Sequence, residues 1–134
     1  TNANLIDSYR RWLTARATDP HAVFLVAEES RTPGALGGYL VGTIEDEIPI
    51  YWTPRCGWIH DLWVDEPLRR RGVGRRMTQI AIERFRAMGV TQIRLQTAAA
   101  NDAGRRLFSS CGFRVCTIEM LMELSPTPPP TDTQ

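Results

Sequence analysis

From Trp58 to Met77 the chain reads WIHDLWVDEPLRRRGVGRRM, and this stretch constrains the fold more than any other. Its first part, Trp58 to Val64, is rich in β-branched and aromatic residues and reads as a strand. Asp65, Glu66 and Pro67 end that strand, because Pro67 has no N–H to give a ladder. A basic, glycine-bearing turn follows, Arg69 to Gly74, and then a helical pattern. The order is therefore strand, basic turn, helix. The first amides of a helix have no intrahelical partner, and the macrodipole adds partial positive charge there. Gly72 and Gly74 carry no Cβ, so an anion can approach the backbone around Val73 closely. Arg69, Arg70, Arg71, Arg75 and Arg76 crowd the same turn with cations. Such a turn is suited to a phosphate or pyrophosphate. It is neither G-x-x-x-x-G-K-[ST], since the chain has no lysine, nor G-x-G-x-x-G, since Met77 stands at the third glycine.

The remaining pattern is α/β. Asn2–Ala17 has the spacing of an amphipathic helix. His21–Glu28 and Leu36–Ile44 read as two strands of a hairpin around a turn at Ser30–Gly34. Glu45–Gly57, acidic and aromatic, reads as an irregular loop or a frayed strand extension. Gly74–Met88 is a helix stopped by Gly89. Thr91–Thr97 alternates as a strand. Asn101 caps a helix running to about Cys111, with Ala103, Leu107 and Phe108 inward. Phe113–Leu124 is a final strand, and Ser125–Gln134 is a proline-rich disordered tail.

The turn V-D-x-x-x-R-R-R-G-V-G resembles the acetyl-CoA signature R/Q-x-x-G-x-G/A of the GNAT superfamily of N-acetyltransferases. Arg69, Gly72 and Gly74 occupy its fixed positions. Downstream, Asn101-x-Ala103-x-x-x-Leu107-Phe108-x-x-x-Gly112-Phe113 resembles the family's N-x-A-x-x-L-Y-x-x-x-G-F, with one extra residue in its middle. The resemblance covers roughly Phe24 to Leu124 and sets the expected domain at 1–124. It implies a mixed, mostly antiparallel sheet flanked by helices. Against the family pattern, an opening strand and helix are expected to be missing, and the edges so exposed make a homodimer plausible.

The same resemblance implies the chemistry. An amine attacks the thioester of acetyl-CoA directly. Backbone amides near Leu62, Trp63 and Val64 hold the pantetheine arm and thioester carbonyl, the turn from Arg69 to Arg75 holds the pyrophosphate, and Asn101 bonds the pantetheine region. Phe108 stands where many members carry the tyrosine that serves the leaving thiolate, and it cannot donate a proton. Some small-amine acetyltransferases read Y-x-E-D-L-x-V on the central strand, and His60 occupies that glutamate position. Histidine exchanges its proton near neutrality and suits a general base. Asp61 is the second catalytic candidate, and period-2 alternation sends it to the face opposite His60. Glu45, Asp46 and Glu47 offer attraction for a cationic amine. Tyr51, Trp52, Trp58 and Trp63 offer walls for its pocket.

Composition bounds the alternatives. Charged residues are 23% and net charge is +1, so no global field recruits nucleic acid. No apolar run suits a bilayer span. Three cysteines without C-x-x-C spacing argue against a disulfide framework or zinc site, and no metal is expected. A reducing bacterial cytoplasm is the expected setting. The expected activity is acetyl transfer to a primary amine, of a small molecule in preference to a peptide. The rival is an acyl-CoA-binding sensor or interaction module of the same fold, without efficient catalysis.

Overall fold

Three long strands frame the protein, for which a computed structural model describes residues 21–28, 36–46 and 55–126. The helix expected over Asn2–Ala17, the turn at Ser30–Gly34, Glu47, Tyr51, Trp52 and the tail past residue 126 lie outside the described residues. Strand β1 (Ala22–Glu28) pairs antiparallel with β2 (Leu36–Asp46), which pairs antiparallel with β3 (Arg55–Val64). A 3-10 turn (Glu66–Leu68) and helix α1 (Val73–Ala87) then cross to β4 (Ile93–Leu95), which lies parallel to β3. The sheet order is β1-β2-β3-β4, and helix α2 (Asp102–Ser110) follows. The result is the mixed, mostly antiparallel sheet with helices that the family resemblance implies.

Helix α1 covers one face of the sheet. Met77, Ala81 and Phe85 recur every four residues and so share one stripe. They are buried with Val23, Leu25, Leu40 and Ile59 in a single cluster. The Phe85 ring reaches the sheet where two side chains are missing. A Cβ on Gly42 would lie 2.7 Å from Phe85 Cζ, and one on Gly57 would lie 2.7 Å from Cδ1. The two glycines thus seat the ring and draw helix and sheet together. Gly89, at φ 88°, ends the helix in the left-handed region where a Cβ is unfavourable.

One open alternative is decided and three expectations need correction. Glu45 and Asp46 belong to β2 and Arg55–Gly57 to β3, because Glu45 pairs with Cys56 and Asp46 with Arg55. Both ends of Glu45–Gly57 thus follow the strand-extension alternative. β4 is confined to Ile93–Leu95, because β3 runs beside it only at Gly57–Ile59. Ala103 is exposed on the first turn of α2. Finally, Phe113–Leu124 forms no strand within the described residues, and its apolar side chains are exposed, Ile118 to 80% and Met120 to 89%. A strand pattern becomes a strand only when a neighbour satisfies its N–H and C=O groups, and no described residue does so here.

Candidate active site

The site begins with an irregularity in β3. Gly42 pairs with Ile59 and Val41 with Asp61, so His60 is an extra residue in the ladder. A bulge of this kind re-aims side chains. Here it overturns the alternation expected of His60 and Asp61. His60 Nε2 lies 2.6 Å from Thr43 Oγ1, and Asp61 Oδ2 accepts from the Tyr39 hydroxyl at 3.0 Å. Tyr39 and Thr43 are four residues apart on β2 and share a face, so His60 and Asp61 reach that same face. It is the face away from α1, whose partners on β2 include Leu40 and Gly42.

Around the imidazole the hydrogen bonds are ordered. The buried Thr43 hydroxyl donates to Glu45 Oε1 at 3.1 Å. Having given its single proton, it accepts from His60 Nε2–H. The Glu45 carboxylate is also 3.3 Å from Nε2. Both partners are part-exposed, so this contact adds little to stability. Its consequence is orientation: with Nε2 protonated, Nδ1 is the basic nitrogen of the neutral ring. Tyr39 also stacks on Trp63, centroids 5.9 Å apart. The aromatic pair and the Asp61 carboxylate form one wall beside His60. Tyr39 and Thr43 are site residues that composition did not single out. The Thr43-x-Glu45 spacing was the available signal, since alternate strand residues share a face.

Beyond Ile59, β3 continues without β4 beside it. Leu62 and Val64 pack their side chains toward the core, leaving backbone as what this stretch can present on the β4 side. Arg69 then ties the end of the strand, its Nε donating to Val64 O at 2.9 Å. Gly72 caps α1 at φ 78° with no side-chain hydrogen bond, and nothing lies within 4 Å of where its Cβ would be. The start of α1 therefore has no side-chain cap and open space beside Gly72, flanked by exposed Arg70, Arg71, Arg75 and Arg76. Gly74 also serves packing. It is buried, and a Cβ there would lie 2.9 Å from Leu107 Cδ1. Its bareness lets α2 pack on α1.

Asn101 caps α2, its Oδ1 accepting from Gly104 N at 3.0 Å and its Nδ2 donating to Thr97 Oγ1 at 3.3 Å. Phe108 packs edge-on to Phe113, with centroids 5.7 Å apart. The geometry thus combines an open strand edge, an uncapped cationic helix N-terminus and a face bearing imidazole, carboxylates and aromatic rings. That combination suits a long phosphate-bearing thioester on one side of β3 and an amine on the other.

Residues 2–113 match the Acetyltransferase (GNAT) family. The chain belongs to this family of acetyltransferases. It is similar to a mycothiol acetyltransferase of Sanguibacter keddieii, 29% identical over 116 residues, which cover 82% of this chain. The match takes in 35% of that relative, so the chain spans about a third of its length. Among solved structures it resembles a mutant of the BH1408 protein of Bacillus halodurans, with 26% identity and a TM-score of 0.76 over 86% of this chain and 73% of the other. It shares its fold with an aminoglycoside 6'-N-acetyltransferase of Acinetobacter haemolyticus, at 17% identity and a TM-score of 0.71 over 90% and 82% of the two chains. No described helix is long and apolar enough to cross a membrane.

Proposed function

We propose that this chain transfers acetyl from acetyl-CoA to a primary amine of a small molecule by direct attack in a ternary complex. The observation that carries the reading is the bulge at His60, which brings imidazole, Glu45 and Asp61 to one face of β3 beside its open edge. Glu45 and Asp61 attract a protonated amine to that face, and Trp63 and Tyr39 pack against its carbon skeleton. His60, oriented through Thr43, accepts the proton that the amine loses as it adds to the thioester carbonyl. The Leu62–Val64 backbone directs N–H groups at the carbonyl oxygen, where charge develops. Val73 N–H and the arginines of the turn hold the pyrophosphate. Acetyl-CoA supplies the activated acetyl group, and its thiol leaves with a proton from solvent, since Phe108 has none to give. The similarity to enzymes named for aminoglycoside and mycothiol substrates supports a polar, small-molecule acceptor.

Calorimetry with acetyl-CoA, beside a panel of amines assayed for thiol release, tests the proposal. The variant Arg70→Glu/Arg71→Glu reverses charge at the turn without touching the core. Wild-type binding, lost in the variant and accompanied by amine-dependent thiol release, is the expected outcome. Binding without turnover of any amine points to the sensor reading instead. Absence of binding by wild type removes the basis of both.

A further inference from the structure

Resting on the acetyl-transfer reading of the same site, we infer that Thr97 donates a hydrogen bond to the sulfur of acetyl-CoA as the thiol leaves, and that Asn101 turns the hydroxyl to do so. The direction of each bond follows from a backbone amide. Gly104 N–H can only donate, so the Asn101 atom it meets at 3.0 Å is the carbonyl Oδ1. The other amide atom, Nδ2, is then the one 3.3 Å from Thr97 Oγ1, and it too can only donate. Thr97 Oγ1 therefore accepts from Asn101 and keeps its own proton to give. Its side chain makes no other hydrogen bond among the described residues, and the residue is exposed, so that proton is open to a ligand. Hydroxyls on the two helices are committed elsewhere. Ser110 donates to Leu107 O at 2.6 Å and Thr78 to Gly74 O at 2.8 Å.

Thr97 also stands at the right level. The ladder between β3 and β4 ends at the pair Ile59 and Leu95. Two residues on from that pair, Thr97 comes level with Asp61, just before the Leu62–Val64 backbone on the open edge of β3. In the proposed complex the thioester lies at the Leu62 end of this edge and the pyrophosphate at Val73. The group level with Thr97 is therefore the thioester, not the amides further along the arm.

The chemistry needs such a donor. As the amine nitrogen bonds to the carbonyl carbon, His60 takes the proton it loses. The C–S bond then breaks, and its electron pair passes to sulfur. A hydrogen bond to a charged acceptor is stronger than one to a neutral group. Thr97 therefore favours the departing thiolate over the neutral thioester, which is the differential that raises a rate. The hydroxyl keeps its proton, being far less acidic than a thiol, and the thiolate is afterwards protonated by solvent. Thr97 thus supplies the leaving sulfur with the donor that Phe108 lacks.

Ultraviolet titration of the thiol of bound coenzyme A tests this without turnover. A donor to the thiolate lowers the pKa of that thiol. Thr97→Val is expected to raise it by about 1–2 pH units relative to wild type. The same variant is expected to lower kcat by about 10–100-fold, with calorimetric affinity for acetyl-CoA and the urea midpoint kept. Thr97→Ser restores the hydroxyl and is expected to restore both readings. Asn101→Asp keeps an oxygen for Gly104 N–H, so α2 stays capped. Its second oxygen takes the Thr97 proton, so this variant is expected to raise the thiol pKa at least as far as Thr97→Val does. Equal thiol pKa in wild type and Thr97→Val overturns the inference. So does wild-type turnover undiminished in Thr97→Val, which leaves the transfer reading standing. A wild type that neither binds acetyl-CoA nor turns over any amine overturns both.

Discussion

Replacing Gly57 by Ala tests the seat that holds α1 on the sheet. The added methyl would lie 2.7 Å from Phe85 Cδ1, 2.9 Å from Cε1 and 3.0 Å from Cγ. These are ring atoms of a fully buried side chain, which cannot swing out into solvent. Overpacking of this kind costs about 1–3 kcal/mol. Against it stands the stiffening of the unfolded chain, about 0.4–1 kcal/mol in favour of alanine where the native φ suits it. Gly57 is not among the positive-φ glycines, so that gain applies. The net loss is then roughly 1–2 kcal/mol, a fall in Tm of several degrees for a domain of this size. The decisive measurement is a double-mutant cycle in urea. In a Phe85→Leu background the ring edge is gone, and Gly57→Ala should become neutral or stabilising. The coupling between the two sites should therefore be about 1–3 kcal/mol, within the range measured for residues in contact. If the two costs simply add, the ring does not rest on Gly57 and the account of helix–sheet packing fails.

Three further outcomes follow from the site. His60→Gln should lower kcat/KM by about 10²–10⁴-fold, the usual worth of a general base, while leaving calorimetric affinity for acetyl-CoA intact; turnover equal to wild type removes His60 from the mechanism. Gly72→Ala must hold φ 78° with a Cβ, at a cost of about 1–2 kcal/mol, and should also weaken acetyl-CoA binding at the turn; an unchanged urea midpoint contradicts the strain argument. Asn101→Ala deletes the side-chain bond to Gly104 N and should cost about 0.5–2 kcal/mol, read as a lower urea midpoint at unchanged slope; equal stability means that the cap carries no weight.

Local chemistry was legible from the residues alone. Pro67 stops a strand wherever it stands, Gly72 and Gly89 punctuate a helix at either end, and Met77, Ala81 and Phe85 fall on one stripe by the helical period. Each of these depends on covalent geometry and near neighbours in the chain, so the strand–turn–helix unit and the uncapped cationic turn could be read without coordinates. Asn101 as a cap belongs to the same class. The site's arrangement depends on register, which is a property of two strands and not of one. The bulge at His60 exists because β2 offers one residue where β3 offers two, and nothing in I-H-D-L announces it. Through that bulge His60 and Asp61 share a face, Thr43 orients the imidazole, and Tyr39 meets Asp61. Gly74 shows the same division from the packing side: its spacing from Gly72 looks like phosphate chemistry, while its environment is a leucine of α2. Residues 116–124 complete the contrast. Their alternation specifies which face is apolar, but a strand satisfies its backbone only against a neighbour, and no described residue is one.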